Sequence, residues 1–245
     1  VFDLDFLKYS RDNTHLHKST NSIKNKITFK NVFYFEGSKK IIDNLNLEIS
    51  FRDKVLILGK SGSGKTTFLK ILSGLIPINE GAIHNGKNKN KDFIRFKESI
   101  SHLSQENFIV DKESIFYNIT LKQKKLANQA DMNNFDKVIK ISNLNEFIRK
   151  QPLKEDTILN EGASNISGGE RQRICIARSL FADNKLIIMD EPFSSIDKQN
   201  SDEIFRQILK DSANKTLIIS NHKKIEVKHF DKVIFFGKDK IVNIK

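Results

Sequence analysis

The chain contains a series of apolar runs that have the length of β-strands. Two of them, at 27–35 and 41–49, alternate apolar and polar residues, which predicts strands near the edge of a sheet. Uninterrupted apolar runs predict further strands at 55–58, 186–189 and 216–220 and a terminal hairpin around Gly237. All of these runs are far shorter than the roughly 18 apolar residues of a membrane-spanning helix, so the sequence predicts none.

Helical spacing of apolar residues separates these strands. The segment 114–150 lacks strand-like runs, and its apolar residues recur three and four positions apart, as at Phe135 and Val138. Further helices are predicted at about 167–181 and 198–210. Strands that alternate with helices predict an α/β fold with a mostly parallel sheet covered on both faces. The segment 114–150 is predicted to be a helical insertion that interrupts this sheet.

Composition is typical of a globular chain with one large domain. The 245 residues are 38% hydrophobic and 29% charged, with 3 Pro and 11 Gly. Cys175 is the single cysteine, so the chain offers no internal disulfide or metal framework, and a reducing, cytosolic compartment is favoured. The first segment, 1–26, lacks sustained apolar periodicity and is interpreted as a linker.

Lysine and arginine outnumber the acidic residues by 42 to 30, which gives a formal net charge of +12. This charge favours an anionic partner, which could be nucleotide phosphate, nucleic acid or the cytoplasmic surface of a membrane. A general bias towards Lys and Asn explains the charge equally well. The choice between these partners therefore depends on the motifs.

The most specific motif directly follows the strand predicted at 55–58. The segment Gly59-Lys60-Ser61-Gly62-Ser63-Gly64-Lys65-Thr66, here called the phosphate loop, fits G-x-x-x-x-G-K-[ST] between a strand and a helix. Its glycines let backbone N–H groups point into one concavity, and the helix dipole adds positive potential, so phosphate oxygens are held there. Lys65 is expected to reach the β- and γ-phosphates, and the Thr66 hydroxyl to bind Mg²⁺.

Two carboxylates follow the strand predicted at 186–189. They are Asp190 and Glu191, and ligands of open parallel sheets bind at the carboxyl ends of the strands. Asp190 is expected to hold Mg²⁺ through its water shell, and Glu191 to polarise the water that attacks the γ-phosphorus. A solvated strand end is the alternative, because two acids after an apolar strand are common.

A second glycine motif precedes the helix predicted at 167–181. In Ser167-Gly168-Gly169, the signature segment, a hydroxyl and glycine N–H groups stand at a helix N-terminus, which predicts a second anion site. One nucleotide does not need two such sites on one chain, unless the second site serves the nucleotide of a partner molecule. With the phosphate loop, this segment resembles the nucleotide-binding domain of ATP-binding cassette (ABC) transporters, and the resemblance covers nearly everything from Ile27 onward.

The resemblance implies a fold and a set of site residues. The fold would be a P-loop NTPase core with a mostly parallel sheet, an antiparallel β-subdomain and an inserted helical subdomain at about 112–165, within an ATPase domain at 27–245. The implied catalytic residues are Lys65, Gln105, Glu191 and His222. The implied ATP-binding residues are Phe35, Gly59, Ser61, Gly62, Ser63, Gly64, Lys65, Thr66, Thr67, Ser167, Gly168, Gly169 and Asp197, and the implied Mg²⁺ ligands are Thr66, Gln105 and Asp190.

The family also implies how some of these residues would act. Ser167 and Gly169 would engage the γ-phosphate bound by an opposite subunit, and Asp197 would lie in a loop that crosses the interface of a head-to-tail homo- or heterodimer. Gln105 would contact Mg²⁺ and the attacking water, and His222 the γ-phosphate. Phe35 resembles the aromatic residue that stacks on adenine, although the neighbouring Phe33 and Tyr34 keep its register open.

The segment Thr157-Ile158-Leu159-Asn160-Glu161-Gly162 is similar to the loop with which exporters of this family contact the coupling helices of their membrane domain. We therefore expect an exporter of peptides, bacteriocins or drugs rather than an importer. Its ATPase domain would lie at the cytoplasmic face of the cell membrane and be attached only through a fused membrane domain, with 1–26 as the linker. The signature departs from the commonest pattern at Ile166 and Glu170, and no loss of activity is expected.

Two other functions fit part of this pattern. Soluble ABC-type ATPases that act on nucleic acid or ribosomes share both glycine motifs, and the net charge suits a polyanion. The chain has no long coiled coil and contains one cassette, so no nucleic-acid partner is expected. A phosphate-loop kinase or GTPase is disfavoured, because neither needs the signature segment.

Overall fold

The computed structural model describes residues 26–86, 100–221 and 226–237 and the backbone of 241–243. The predicted catalytic residue His222 and nearly all of the predicted linker, residues 1–25, lie outside the described residues. Among the residues that are described, no helix is both long enough and apolar enough to cross a membrane.

The larger sheet has six strands in the spatial order β5-β6-β7-β3-β8-β9. The first five of these are parallel, and β9 pairs with β8 in the antiparallel direction. Its strands are β3 (Lys54–Gly59), β5 (Ile100–Leu103), β6 (Leu186–Asp190), β7 (Thr216–Asn221), β8 (Lys232–Phe236) and β9 (Ile241–Asn243). Every residue of β6 and β7 is buried, as expected for central strands covered on both faces.

The smaller sheet is antiparallel, with the spatial order β2-β1-β4. Its strands are β1 (Lys26–Glu36), β2 (Lys39–Ser50) and β4 (Glu80–Asn85). One face of β1 and β2 is buried and the other exposed, which is the alternation that the sequence shows.

Six α-helices complete the described fold. The first, α1 (Lys65–Leu72), follows the phosphate loop. The others are α2 (Ile115–Thr120), α3 (Gln129–Ile141), α4 (Asn145–Lys150), α5 (Gly168–Phe181) and α6 (Lys198–Asp211). Both α3 and α5 begin with a capping box, formed by Asn128 with Asp131 and by Ser167 with Glu170.

The apolar residues form two cores, one on each side of the larger sheet. One contains α1 and the smaller sheet, and the other contains α2 to α6. Residues of one strand alternate between them: Ile188 belongs to the first core, whereas Ile187 and Met189 belong to the second. Cys175 is buried in the second core, where its Sγ donates to the carbonyl of Phe108, and burial raises the pKa of the thiol.

The predicted fold class is confirmed: the chain combines a mostly parallel sheet, an antiparallel sheet and inserted helices. Two strands were not predicted. Strand β4 contains Gly81 and has no apolar alternation, and it forms because its backbone pairs with β1. Strand β5 has four residues, two of them Ser101 and His102, and it is buried beside β6 despite this polar content.

Candidate functional site

The phosphate loop is held between the two sheets by its last glycine. Gly64 caps α1 with a φ of 97°, a left-handed conformation that glycine adopts most easily. A Cβ at this position would lie 3.2 Å from Cγ2 of Ile41 in β2. The loop therefore needs glycine here, and the close contact places the loop directly against the smaller sheet.

Lys65 is the positive centre of the site. Its Nζ donates to the carbonyl oxygens of Gly59, at 2.9 Å, and Lys60, at 3.1 Å, and only 5% of the residue is exposed. The same Nζ lies 3.9 Å from Oε1 of Glu191. The long lysine side chain thus folds back over its own loop and places a buried ammonium group beside a carboxylate.

Thr66 and Asp190 bring oxygen ligands together next to this ammonium group. Oγ1 of Thr66 donates to Oδ2 of Asp190 at 2.6 Å, and the Ser220 hydroxyl donates to the other carboxylate oxygen. Asp190 ends β6, Ser220 lies in β7 beside it, and Thr66 is in the first turn of α1. A hydroxyl and a carboxylate at one point suit Mg²⁺, which prefers hard oxygen ligands and keeps several waters.

An unpartnered hydroxyl supports a phosphate ligand in this loop. In the described part of the chain, Oγ of Ser63 is buried and has no hydrogen-bond partner. Buried polar atoms are normally hydrogen-bonded, so such an atom in the phosphate loop fits a ligand with acceptor oxygens. Ser61 and Gly62 at the tip of the loop are exposed, and Thr67 follows in α1. Together these residues fit a nucleotide polyphosphate with its metal ion.

Glu191 is fixed by its backbone. Its φ of 49° is left-handed, a conformation that costs a non-glycine residue about 1–3 kcal/mol and persists only where the surroundings determine it. Its N–H group donates to the hydroxyl of Ser220 at 3.0 Å, and its carbonyl oxygen accepts from Nε2 of Gln172 at 3.0 Å. The side chain is 14% exposed. The acid therefore leaves β6 in a defined direction, towards Lys65.

The other predicted water-binding residue, Gln105, lies in the exposed loop after β5. Because β5 pairs with β6 in parallel, with Leu103 opposite Met189, this loop leaves the same sheet edge as Asp190. The topology thus brings Gln105 to the side of the metal-binding candidates.

The signature segment has a different environment. The Ser167 hydroxyl accepts from the Glu170 N–H group at 3.2 Å and donates to Oε2 of Glu170 at 2.8 Å, which completes the capping box of α5. A Cβ on Gly169 would lie 3.1 Å from the Ser195 carbonyl oxygen, so this glycine packs on the loop after Glu191. Within the described residues, no hydrogen bond joins the signature segment to the phosphate loop.

Asp197 lies at the end of the loop that starts at Glu191, here called the 191–197 loop. It caps α6 by accepting from the N–H group of Asn200 at 3.0 Å, and it accepts from Nδ2 of Asn200 at 2.6 Å. These hydrogen bonds hold the pKa of Asp197 below its usual value. The acid is exposed and stays ionised.

The aromatic candidates of β1 separate into two groups. The rings of Phe33 and Phe35 stack, with 6.5 Å between centroids and 5° between planes, whereas Tyr34 packs against the first core. The Phe35 N–H group donates to Oδ1 of Asn79 at 2.8 Å. Phe35 pairs with Lys40, the neighbour of the Ile41 that contacts Gly64. Phe35 thus lies near the phosphate loop with a ring turned away from the core.

A partly buried histidine lies near the metal-binding candidate Asp190. His102 in β5 is within 3.3 Å of the Ser73 hydroxyl through Nδ1. Burial lowers its pKa to about 4, although the nearby Asp190 opposes this shift. His102 is therefore neutral at physiological pH and adds no positive charge beside Asp190.

Sequence patterns had not indicated Gln172, Ser220 or His102 as parts of this site. Gln172 lies three residues after the signature segment, and Ser220 is the last residue of the strand predicted at 216–220. Their positions near the two glycine motifs were the available signal. What the sequence lacked was the pairing of β6 with β7 and the packing of α5 on the 191–197 loop.

Comparison with known proteins gives the family. The model of the family described as ABC transporter matches residues 42–194. The lacticin-481/lactococcin-DR transport/processing ATP-binding protein of Lactococcus lactis subsp. lactis is 35% identical over 94% of this chain, and the alpha-hemolysin translocation ATP-binding protein HlyB of Escherichia coli is 32% identical over 97%. The matches cover 32% and 34% of those proteins, so the chain spans about a third of the length of these relatives.

The fold also matches a solved structure. It is described as a bacterial Atm1-family ABC exporter with ATP bound, and the match has a TM-score of 0.78 with 23% identity, covering 96% of this chain and 42% of the other. At this identity the likeness shows the fold alone. The family match and the more similar relatives confirm the resemblance found in the sequence: this chain belongs to the ABC transporter family.

Proposed function

We propose that the chain is the ATP-binding and ATP-hydrolysing motor domain of an ABC exporter. Family membership implies ATP binding, and the relatives described above are named for transport, processing and translocation. The observation that carries the proposal is the pair of contacts Thr66–Asp190 and Lys65–Glu191, made by a loop that also contains the unpartnered Ser63 hydroxyl. These residues supply a cation for phosphates, oxygen ligands for a metal ion and a carboxylate for a water molecule.

Each of these residues has a distinct part in the proposed reaction. Lys65 binds the β- and γ-phosphate oxygens, replacing some of its contacts to the loop carbonyls and to Glu191. Thr66 and Asp190 hold Mg²⁺, which would neutralise charge on the transferred phosphoryl group. Glu191 accepts a proton from the water whose oxygen bonds to the γ-phosphorus while the bond to the β–γ bridging oxygen breaks. Gln105 and His222 are proposed to orient the water and the γ-phosphate, and Phe35 to stack on adenine.

The signature segment and Asp197 are proposed to act on a second copy of the domain. Both are exposed, and within the described residues their hydrogen bonds go to their own helix caps and not to the phosphate loop of the same chain. These observations support a composite site that a homologous partner completes. In such a head-to-tail pair, Ser167 and Gly169 would donate to the γ-phosphate held by the other chain. ATP would join the two chains, and hydrolysis would let them separate.

The contact with a membrane domain is proposed to involve Glu161. This residue is 82% exposed and lies 3.9 Å from Lys112, at the edge of the helical insertion. Its loop contacts α5, because the Arg171 guanidinium donates to the carbonyl of Gly162. A coupling helix of a fused membrane domain at the cytoplasmic face of the cell membrane is the proposed partner.

The decisive test combines a catalytic variant with a binding variant. Glu191→Gln is expected to bind ATP and to form an ATP-dependent dimer, observed by light scattering, with turnover slowed by a factor on the order of 10² or more. The double variant Glu191→Gln with Ser167→Ala should bind ATP and remain monomeric. A Glu191→Gln chain that binds ATP but hydrolyses it at the wild-type rate would remove Glu191 from the mechanism, and salt-sensitive RNA or DNA binding that stimulates turnover would favour the nucleic-acid alternative.

A further inference from the structure

The side chain of Gln172 joins α5 to the 191–197 loop, which begins at the proposed catalytic acid, Glu191. It is 1% exposed and uses both ends of its amide. Nε2 donates to the carbonyl oxygen of Glu191 and to the Ser194 hydroxyl, each at 3.0 Å, and Oε1 accepts from the Ser195 N–H group at 2.6 Å. Three hydrogen bonds from one buried group fix it in a single orientation.

These contacts matter because Glu191 has a left-handed backbone. Its φ of 49° needs support from both sides of the residue. Ser220 supplies it on the amino side by accepting from the Glu191 N–H group, and Gln172 supplies it on the other side by donating to the carbonyl oxygen. The direction in which the Glu191 carboxylate points, 3.9 Å from Nζ of Lys65, depends on this backbone geometry.

The glycines of the signature segment provide a second, independent observation. A Cβ on Gly169 would lie 3.1 Å from the Ser195 carbonyl oxygen, and one on Gly168 would lie 3.9 Å from Cβ of Ser195. The first turn of α5 therefore packs directly on the 191–197 loop, one turn before Gln172. Backbone packing and side-chain hydrogen bonding together make the signature segment and this loop one unit.

We infer that Gln172 is a positioning residue for ATP hydrolysis, which holds the Glu191 carboxylate towards Lys65 and fixes the 191–197 loop to α5. The inference rests on the proposed function, because it assigns Gln172 to the same site. It predicts that Gln172 contributes to the turnover step and little to nucleotide affinity, since its side-chain hydrogen bonds in the described structure go to the 191–197 loop and not to the phosphate loop.

The test replaces Gln172 by methionine, which has a similar length and no hydrogen-bonding amide. In the full chain, kcat is expected to fall about tenfold or more, with the Kd for ATP unchanged within about twofold by calorimetry. Amide hydrogen exchange should accelerate within the 191–197 loop and not in α5. The control is Ser179→Ala, because Ser179 is buried in the same helix and its hydroxyl donates only to the Ile176 carbonyl.

The outcomes separate the inference from the proposed function. A wild-type kcat in Gln172→Met, or a loss of turnover matched by uniform loss of exchange protection, would overturn the inference. If Gln172→Met does not fold, Gln172→Glu takes its place; it keeps the acceptor for Ser195 and lacks the donor for Glu191, so the same drop in kcat with intact ATP affinity is expected. A wild-type chain without ATPase activity would refute the proposed function, and the local exchange measurement would still test Gln172.

Discussion

The two glycine motifs of this chain both stand before helices, yet their surroundings differ. In the phosphate loop, the buried Lys65 lies 3.9 Å from the Glu191 carboxylate, Thr66 donates to the Asp190 carboxylate, and the Ser63 hydroxyl is unpartnered. The polar groups of the signature segment are exposed and paired with their own capping box. The phosphate loop gathers its polar groups within one chain, whereas the signature segment is proposed to form a site only with a second chain. The same helix-terminus chemistry can thus serve as a whole site or as half of one.

The largest effect that would test this contrast is expected at Lys65. Lys65→Met removes the buried cation of the phosphate loop, whereas the other lysine of the loop, Lys60, is exposed. Charge-assisted hydrogen bonds contribute about 1.5–3 kcal/mol each. Binding of MgATP should weaken on the order of 10² or more and turnover should be lost. Lys70→Met, on the exposed side of the same helix, is the matched control. Calorimetry that gave wild-type affinity for Lys65→Met would show that the loop does not hold the phosphates.

A smaller effect, on assembly, is expected at the signature segment. Ser167→Ala should leave ATP binding by the isolated chain intact but reduce turnover by roughly 30-fold, or about 2 kcal/mol, because a donor to the partner's γ-phosphate is lost. Asn128→Ala is the matched control, since Asn128 forms the equivalent capping box of α3 and its loss costs about 1 kcal/mol of stability. Equal losses of turnover in Ser167→Ala and Asn128→Ala would show that Ser167 acts only as a helix cap.

The pH dependence of stability is expected to reflect the environment of the phosphate site, through the protonation of His102. His102 near Asp190 has a folded pKa of about 4, below its unfolded value near 6.5, so the unfolded chain binds more protons between these pH values. Stability should therefore fall as the pH is lowered, by about 2 kcal/mol between pH 7.5 and 5. Urea unfolding of the wild type and His102→Asn measures this term. A variant with the same pH dependence as the wild type would exclude His102 as its source.

The smallest effect is expected at the aromatic strand. Phe35→Ala should weaken ATP binding by about 1 kcal/mol or slightly more, since stacking on a base contributes about 1–3 kcal/mol. Binding of inorganic triphosphate should not change. Tyr34→Phe is the control, because the Tyr34 ring packs against the core. If only Phe33→Ala reduced ATP affinity, the adenine contact would belong to Phe33, the other ring of the stacked pair.

The sequence predicted those parts of the fold in which local pattern and tertiary environment agree. The apolar run of β6 became a fully buried strand, and the serine and glycines before α5 became its N-terminus. Strand β4 escaped prediction because its pairing with β1 decides its conformation, and Gly81 lies so close to the Asn31 carbonyl that a side chain would not fit. The residues of β4 by themselves do not indicate that β1 will pair with them.

In the candidate site, the motif residues were predictable from the sequence and the residues that support them were not. Lys65, Thr66, Asp190 and Glu191 lie in motifs whose spacing defines their chemistry, and the structure brings them together; their roles stay predictions until tested. Residues that support them, such as Gln172, are distant in sequence from what they hold and have no spacing that would reveal them. The left-handed backbone of Glu191 was equally hidden, because it is fixed by tertiary hydrogen bonds and not by residue type.

The isolation of Cys175 has a practical consequence. The chain has one thiol, and burial in the second core raises its pKa, so it reacts slowly with maleimides at neutral pH. A cysteine introduced on the surface, for example in place of exposed Lys70, would then be the preferred point for attaching a fluorophore without removing a native residue from the core. Energy transfer between two such labels would report how closely a pair of chains approaches during each catalytic cycle.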